Sequence, residues 1–137
     1  MSSTESEQNA RSGDEPTDEL LPELFTGPPE QPVTRHELRF EELATGGRVG
    51  AEIHRLYSIG DGGPAAAIVR YRPGATAKTH LHPSYELIYV LSGALETDDG
   101  VYPAGSLLVS PPGAVHAPRS EKGCVALVVW EQPVRPL

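Results

Sequence analysis

The sequence predicts an all-β domain, built as a sandwich or small barrel of short strands. Three observations carry that reading. Fourteen Gly and fourteen Pro stand among 137 residues, about a fifth of the chain against roughly 12% in average usage, so turns are frequent. From residue 49 onward, short apolar and β-branched stretches recur at even spacing between Gly/Pro breaks. Asp98-Asp99-Gly100 marks a tight hairpin, because Asp-Gly tolerates the positive φ angles of two-residue turns. A chain of this length is one domain, and such strands close into a sandwich or barrel.

Taken in order, residues 1–31 read as an acidic tail with eight acids against the single base Arg11. Residues 1–19 have almost no apolar content and cannot offset the entropy cost of ordering, so disorder is expected there. Leu20 to Phe25 adds three Leu and a Phe, an apolar spot able to dock on the domain or on a second subunit, in a tail expected to be mobile. The folded domain is expected over 32–137. Thr34-x-x-Glu37 fits a helix capping box, yet His36, Leu38 and Phe40 alternate, and the expectation is a strand over 34–40 followed by one turn through Glu41-Glu42-Leu43. Further strands are expected over 49–58, 66–72, 78–82, 86–91, 94–97, 106–110 and 124–130, with turns at Gly60 to Pro64 and at Pro73-Gly74.

Composition also excludes. No run of about 18 apolar residues is present, and no basic start leads into an apolar stretch, so a cytoplasmic domain with no membrane partner is expected. The net charge of −8 sits in the tail, while residues 32–137 hold 11 acids and 10 bases. A near-neutral domain of this kind predicts no nucleic-acid partner. The one cysteine, Cys124, rules out an internal disulfide or a multi-cysteine zinc site, and its apolar surroundings make it a small core residue.

Four residues carry the chemistry. His80 and His82 are two apart, so on an extended strand both imidazoles project from one face. Pro83 ends that strand, having no N–H to give to a ladder. Glu86 opens the next strand, and His116 follows the rigid Pro111-Pro112-Gly113 turn, able to enter from a third. A lone barrel histidine is usually a hydrogen-bonded core residue. Three histidines and a carboxylate buried together without a metal leave costly unpaired groups. Two or three imidazoles with one carboxylate and an open position suit iron, manganese, nickel or zinc. Arg70 and Arg72 share one strand face, read as solvated; were that face the interior, they would suit an anionic substrate.

The run Gly74, five residues, His80-x-His82, three residues, Glu86, six residues, Gly93 resembles the first cupin motif at every fixed place. Gly105, Pro111, Gly113 and His116 resemble the second, which departs only at Ser120, where the family often carries Asn. Tyr102-Pro103-Ala104-Gly105-Ser106, Pro111-Pro112-Gly113, His116-Ala117-Pro118 and Gly123-Cys124 are similar in wording to the ChrR-type cupins. The resemblance implies a cupin double-stranded β-helix, a small jelly-roll barrel, with one divalent metal held by His80, His82, Glu86 and His116. That subgroup includes the cupin half of a zinc-bearing anti-sigma factor and dioxygenases that cleave diketones or hydroxyacetophenones. The anti-sigma protein also needs an N-terminal zinc domain with paired cysteines, and Cys124 alone does not supply one.

The expected function is therefore that of a mononuclear Fe(II)-type dioxygenase acting on a small ketone, diketone or phenolic substrate, with Zn(II), Mn(II) or Ni(II) as the other candidate ions. No residue is assigned as general base. The alternative is a regulatory cupin that binds a metal or metabolite without turnover. Tyr85, Leu87, Tyr89 and Leu91 face opposite to Glu86 and suggest core cover or a homodimer contact.

Overall fold

The computed structural model describes residues 21–136, so the disorder expected over 1–19 lies outside the described residues. Among the described residues eleven strands follow one another: β1 (Glu41–Glu42), β2 (Val49–Ser58), β3 (Ala65–Thr76), β4 (His80–Leu81), β5 (Glu86–Thr97), β6 (Gly100–Pro103), β7 (Leu107–Ser110), β8 (Val115–His116), β9 (Arg119–Ser120), β10 (Cys124–Trp130) and β11 (Arg135–Pro136). More than half of the described residues are strand and almost none helix, and the strands close into a barrel. The main sheet runs β1-β2-β3-β10-β5-β6, with β7 against β5 and β9 against both β3 and β5. A second, three-stranded sheet in the order β11-β4-β8 carries two of the histidines.

Four local expectations change. Residues 35–37 form a 3-10 turn rather than part of a strand. There the Glu37 N–H donates to the Thr34 carbonyl at 2.9 Å, and the Thr34 hydroxyl donates to the Glu37 carboxylate at 2.8 Å. Side-chain closure at Thr34 thus wins over the weak alternation. Glu41–Glu42, expected in a turn, instead pair with Ile53 and Glu52 of β2. Pro73-Gly74 does not end β3, which runs on to Thr76. The expected strands 86–91 and 94–97 are one strand, β5, whose ladder with β10 shifts register at Leu91, between Val125 and Ala126. Gly93 has φ 71°, and a Cβ there would collide with the Gly123 carbonyl, so only glycine fits.

Alternation along the central strands builds two apolar clusters on opposite faces of one sheet. Inside the barrel, Ala67 and Val69 of β3, Ile88 and Val90 of β5, and Ala126 and Val128 of β10 pack with Ala51, Ile53 and Leu95. On the outer face, Ile68 and Val125 are covered by Leu21 and Leu38, with Leu24, Val33 and Phe40 at the margin. An antiparallel bridge between Leu24 and Val33 holds the covering segment together. The apolar spot read at Leu20 to Phe25 thus supplies Leu21 to the domain's own packing. Cys124 is buried in the inner cluster, where burial pushes its thiol up to about 11, consistent with an inert core residue.

Leu21→Ala should cost about 2–4 kcal/mol in urea denaturation at an unchanged m value, as truncation of a buried leucine does. A change below about 0.5 kcal/mol, the range of an ordinary surface substitution, would mean that the covering segment is not part of the folded unit.

Candidate metal centre

Register places the histidines. His80 on β4 stands directly opposite His116 on β8, so the two imidazoles share a face. His82 lies just past β4, where its N–H donates to the Ala114 carbonyl at 2.9 Å and its carbonyl accepts from the Gly113 N–H at 2.8 Å. The turn at Pro111-Pro112-Gly113 is thereby tied to the strand it faces. Glu86, first residue of β5, pairs across β10 with Trp130 and across β7 with Ser110.

The three rings converge. His80 and His82 stack with centroids 5.2 Å apart, and His116 stands edge-on to both, at 5.3 Å from His80 and 4.4 Å from His82. One ring nitrogen from each lies within 4.8 Å of the others. A four-coordinate ion with nitrogen ligands at 2.0–2.1 Å needs separations of about 3.4 Å, so small ring rotations bring all three onto one centre. Their hydrogen bonding fits that use. His80 Nδ1, both ring nitrogens of His82, and His116 Nε2 are buried with no hydrogen-bond partner. Buried nitrogens of this kind are costly unless something binds them, and a cation takes one nitrogen from each ring, three of these four, at once. The three histidines can bind a metal ion.

Glu86 stands beside this trio. Its Oε1 is 3.4 Å from His82 Nδ1, and its side chain lines the same small cavity as His80 and His116. Burial dominates its titration and pushes the carboxyl up to about 7. The Trp130 indole, near the carboxyl but outside hydrogen-bond geometry, and the Arg48 charge oppose that rise. Burial also holds His80 down at about 4, helped by the Arg48 charge and the neighbouring imidazoles and opposed by the nearby Lys78 backbone, which lies outside hydrogen-bond geometry. His82 is likewise held down at about 4, first by burial and then by His116 and Arg48. Burial lowers His116 too, against the pull of Asp99 and Asp98. All three imidazoles are therefore neutral at pH 7, the form that ligates.

The inner cavity, about 30 Å³, is walled by Leu43, Val69, Tyr71, Ile88, Pro118 and Val128 as well as by the polar residues. A larger cavity of about 400 Å³ lies outside it, lined by Ile53, Arg55, Ser58, Asp61, Pro133 and Val134 among others. Leu43, Arg48 and Trp130 line both. Sequence reasoning missed Arg48, Tyr71 and Trp130, none of which carries a motif or a spacing signal. Arg70 and Arg72, by contrast, turn away from the interior. Both reach Glu52, at 3.3 Å and 3.2 Å, and Arg70 stacks over the Phe40 ring.

The model of the ChrR cupin-like domain matches residues 30–134. The chain belongs to that family. Solved structures agree on the fold. The complex of Rhodobacter sphaeroides SigE with the anti-sigma ChrR matches with a TM-score of 0.58 and 24% identity over 69% of this chain. An acetylacetone dioxygenase from Acinetobacter johnsonii matches at 0.64 and 16% over 69% of each chain. The polyketide cyclase RemF from Streptomyces resistomycificus matches at 0.63 and 24%, over 77% of this chain and 83% of its own. This ChrR-like cupin spans about half, 49%, of the chain it matches in the SigE–ChrR complex. No curated protein matches its sequence. Among the described residues no helix is long and apolar enough to cross a membrane.

The histidine shifts fix the sign of an acid effect. The unfolded chain takes up protons near pH 6.5 while native His80 and His82 hold out to about 4, so stability is full above pH 6.5 and is lost as pH falls from there to 4. Glu86 acts in reverse, native at about 7 against 4.5 unfolded, and relieves some of that loss over pH 7 to 4.5. Three imidazoles outweigh one carboxyl. The melting temperature of protein stripped with a chelator should therefore fall between pH 6.5 and 4, and His80→Phe should flatten the fall. A melting temperature that rises on acidification would contradict this accounting.

Proposed function

We propose that this ChrR-like cupin is a mononuclear metal enzyme of the oxygenase type, acting on a small oxygenated molecule such as a ketone, diketone or phenol. The observation that carries the reading is the three-histidine cluster beside a cavity that shares a wall with a larger, ligand-sized one. Closed structural metal sites fill every position with protein ligands, often cysteines, whereas catalytic ones keep a side open. His80, His82 and His116 hold the ion, and Glu86 completes the set as fourth ligand. Its carboxylate offsets part of the ion's charge in an apolar chamber, which favours Fe(II) among the divalent ions such a donor set takes. When bound, the ion supplies Lewis-acid chemistry and, as Fe(II), one-electron chemistry. The protein's share is to orient and to exclude water. Backbone hydrogen bonds from the His82 N–H to Ala114 and from the Gly113 N–H to His82 hold the segment that carries His82, and Leu43, Val69, Ile88 and Val128 keep the chamber apolar.

One observation favours a second reading. The inner cavity, at about 30 Å³, has room for about one or two waters, which also suits a regulatory cupin whose metal holds the barrel while a metabolite occupies the outer cavity. The likeness in fold to the SigE–ChrR complex is compatible with that role. Oxygen uptake decides between them. Fe(II)-loaded protein should consume oxygen with at least one member of a panel of diketones and phenolic ketones. Glu86→Gln should cut the rate more than about tenfold, the loss of roughly 1.4 kcal/mol of barrier lowering, with the fold intact by circular dichroism. Tight Zn(II) binding with no uptake from any ketone would give the regulatory reading the place of the first.

The homodimer is proposed on the bare half of the sheet's outer face. Leu87 and Tyr89 of β5 pair with Val109 and Leu107 of β7, and all four are exposed. The covering segment packs on Ile68 and Val125 instead. An exposed apolar patch of this kind marks an association surface. Light scattering should give a dimer for the wild type and a monomer for Tyr89→Glu at micromolar concentration. A wild-type mass of one chain would reject the proposal.

A further inference from the structure

We propose that Arg48 anchors an anionic ligand, so that the site takes a small oxo- or hydroxy-acid whose carboxylate lies on Arg48 while the adjacent oxygen faces the three histidines. The proposal deepens the enzyme reading above and rests on it for the metal. Arg48 directly precedes β2, after a tight turn in which Gly46 and Gly47 both have positive φ. The Gly46 carbonyl accepts from the Lys78 N–H at 3.1 Å, which ties this turn to the segment leading into His80. Its Nη1 donates to the Thr45 carbonyl at 2.8 Å and to the Thr45 hydroxyl at 3.3 Å. The guanidinium is thus held by one nitrogen, while Nε is buried with no hydrogen-bond partner. Among the described residues no carboxylate forms an ion pair with it. A half-buried arginine normally finds one.

Position says what the missing partner is. Arg48 lines both the inner histidine cavity and the outer cavity of about 400 Å³, a size typical of small-molecule sites. It therefore stands where a ligand would pass from one to the other. A guanidinium beside a divalent ion, with Glu86 as the single carboxylate against them, leaves the chamber net positive at low local dielectric. An anion resolves that imbalance, and the fixed donor geometry of arginine suits a carboxylate better than a neutral carbonyl. Leu43, Ile53, Pro133 and Val134 in the outer cavity then take the ligand's apolar body. Trp130, the only tryptophan of the chain, lines both cavities as well, so its fluorescence reports occupancy without any turnover.

The test is a titration of the Zn(II)-loaded full chain with mandelate and with its neutral isostere mandelamide, followed by Trp130 emission excited at long wavelength and by calorimetry. The wild type should bind mandelate about ten- to a hundredfold tighter than mandelamide, the worth of hydrogen bonds to a charged group. Arg48→Gln should remove most of that preference, Arg48→Lys should restore part of it, and Arg72→Gln, whose side chain pairs with Glu52 away from the cavities, should leave it in place. Zinc content should stay the same in all three variants. Equal binding of the two probes by the wild type, no binding of mandelate in the millimolar range, or a preference that survives Arg48→Gln would each overturn the assignment. A charge preference without oxygen uptake from any substrate would remove the oxygenase reading alone and leave the anion anchor standing.

Discussion

Nitrogen lone pairs buried in an apolar barrel must be bound by something. His80, His82 and His116 converge there with four ring nitrogens lacking any hydrogen-bond partner. Each such group costs about 1–3 kcal/mol when left unsatisfied, a heavy burden for one small domain. Much of the local architecture serves to hold them in place. The three-stranded sheet sets His80 opposite His116, the turn at residues 111–114 clamps His82 through two backbone hydrogen bonds, and β5 begins at Glu86. A divalent cation is the one partner that satisfies three neutral imidazoles together and turns the cost into binding energy.

The same sheet has two faces with two destinations. Inward residues of β3, β5 and β10 make the barrel core around the site. Outward residues of those strands are no less apolar, and the chain covers part of them itself with Leu21 and Leu38. Leu87, Tyr89, Leu107 and Val109 stay exposed. An antiparallel sheet with one solvated face is ordinarily polar on that face. Here the apolar stripe continues past the edge of its own cover, which is the ground for proposing a second copy over the uncovered part.

What was legible in the sequence follows from how local each signal is. The spacing of His80, His82 and Glu86 is short, so strand geometry carries it directly into space. The strands at 49–58 and 124–130 have the expected limits because β-branched density and flanking glycines agree there. Residues 35–37 misled because side-chain closure at Thr34 competed with a weak alternation. The division of β5 was misread because Gly93 looks like a turn residue, yet its left-handed backbone stays within the strand and lets Gly123 and Cys124 approach closely. Arg48, Tyr71 and Trp130 come from distant parts of the chain and meet only across the barrel. No spacing rule reaches that far, so the residues that shape the chamber were invisible where the proposed ligands were not.

The central claim, that the three histidines form a metal site, has a direct measurement. Protein stripped with a chelator, dialysed against Zn(II) or anaerobic Fe(II) and analysed for metal should hold one ion per chain. X-ray absorption should show a first shell dominated by imidazole nitrogen at about 2.0–2.2 Å, and the stoichiometry should fall towards zero in His82→Ala but not in His36→Ala. A wild-type chain that takes up none of these ions, or one whose bound metal is unaffected by His82→Ala, would contradict the account.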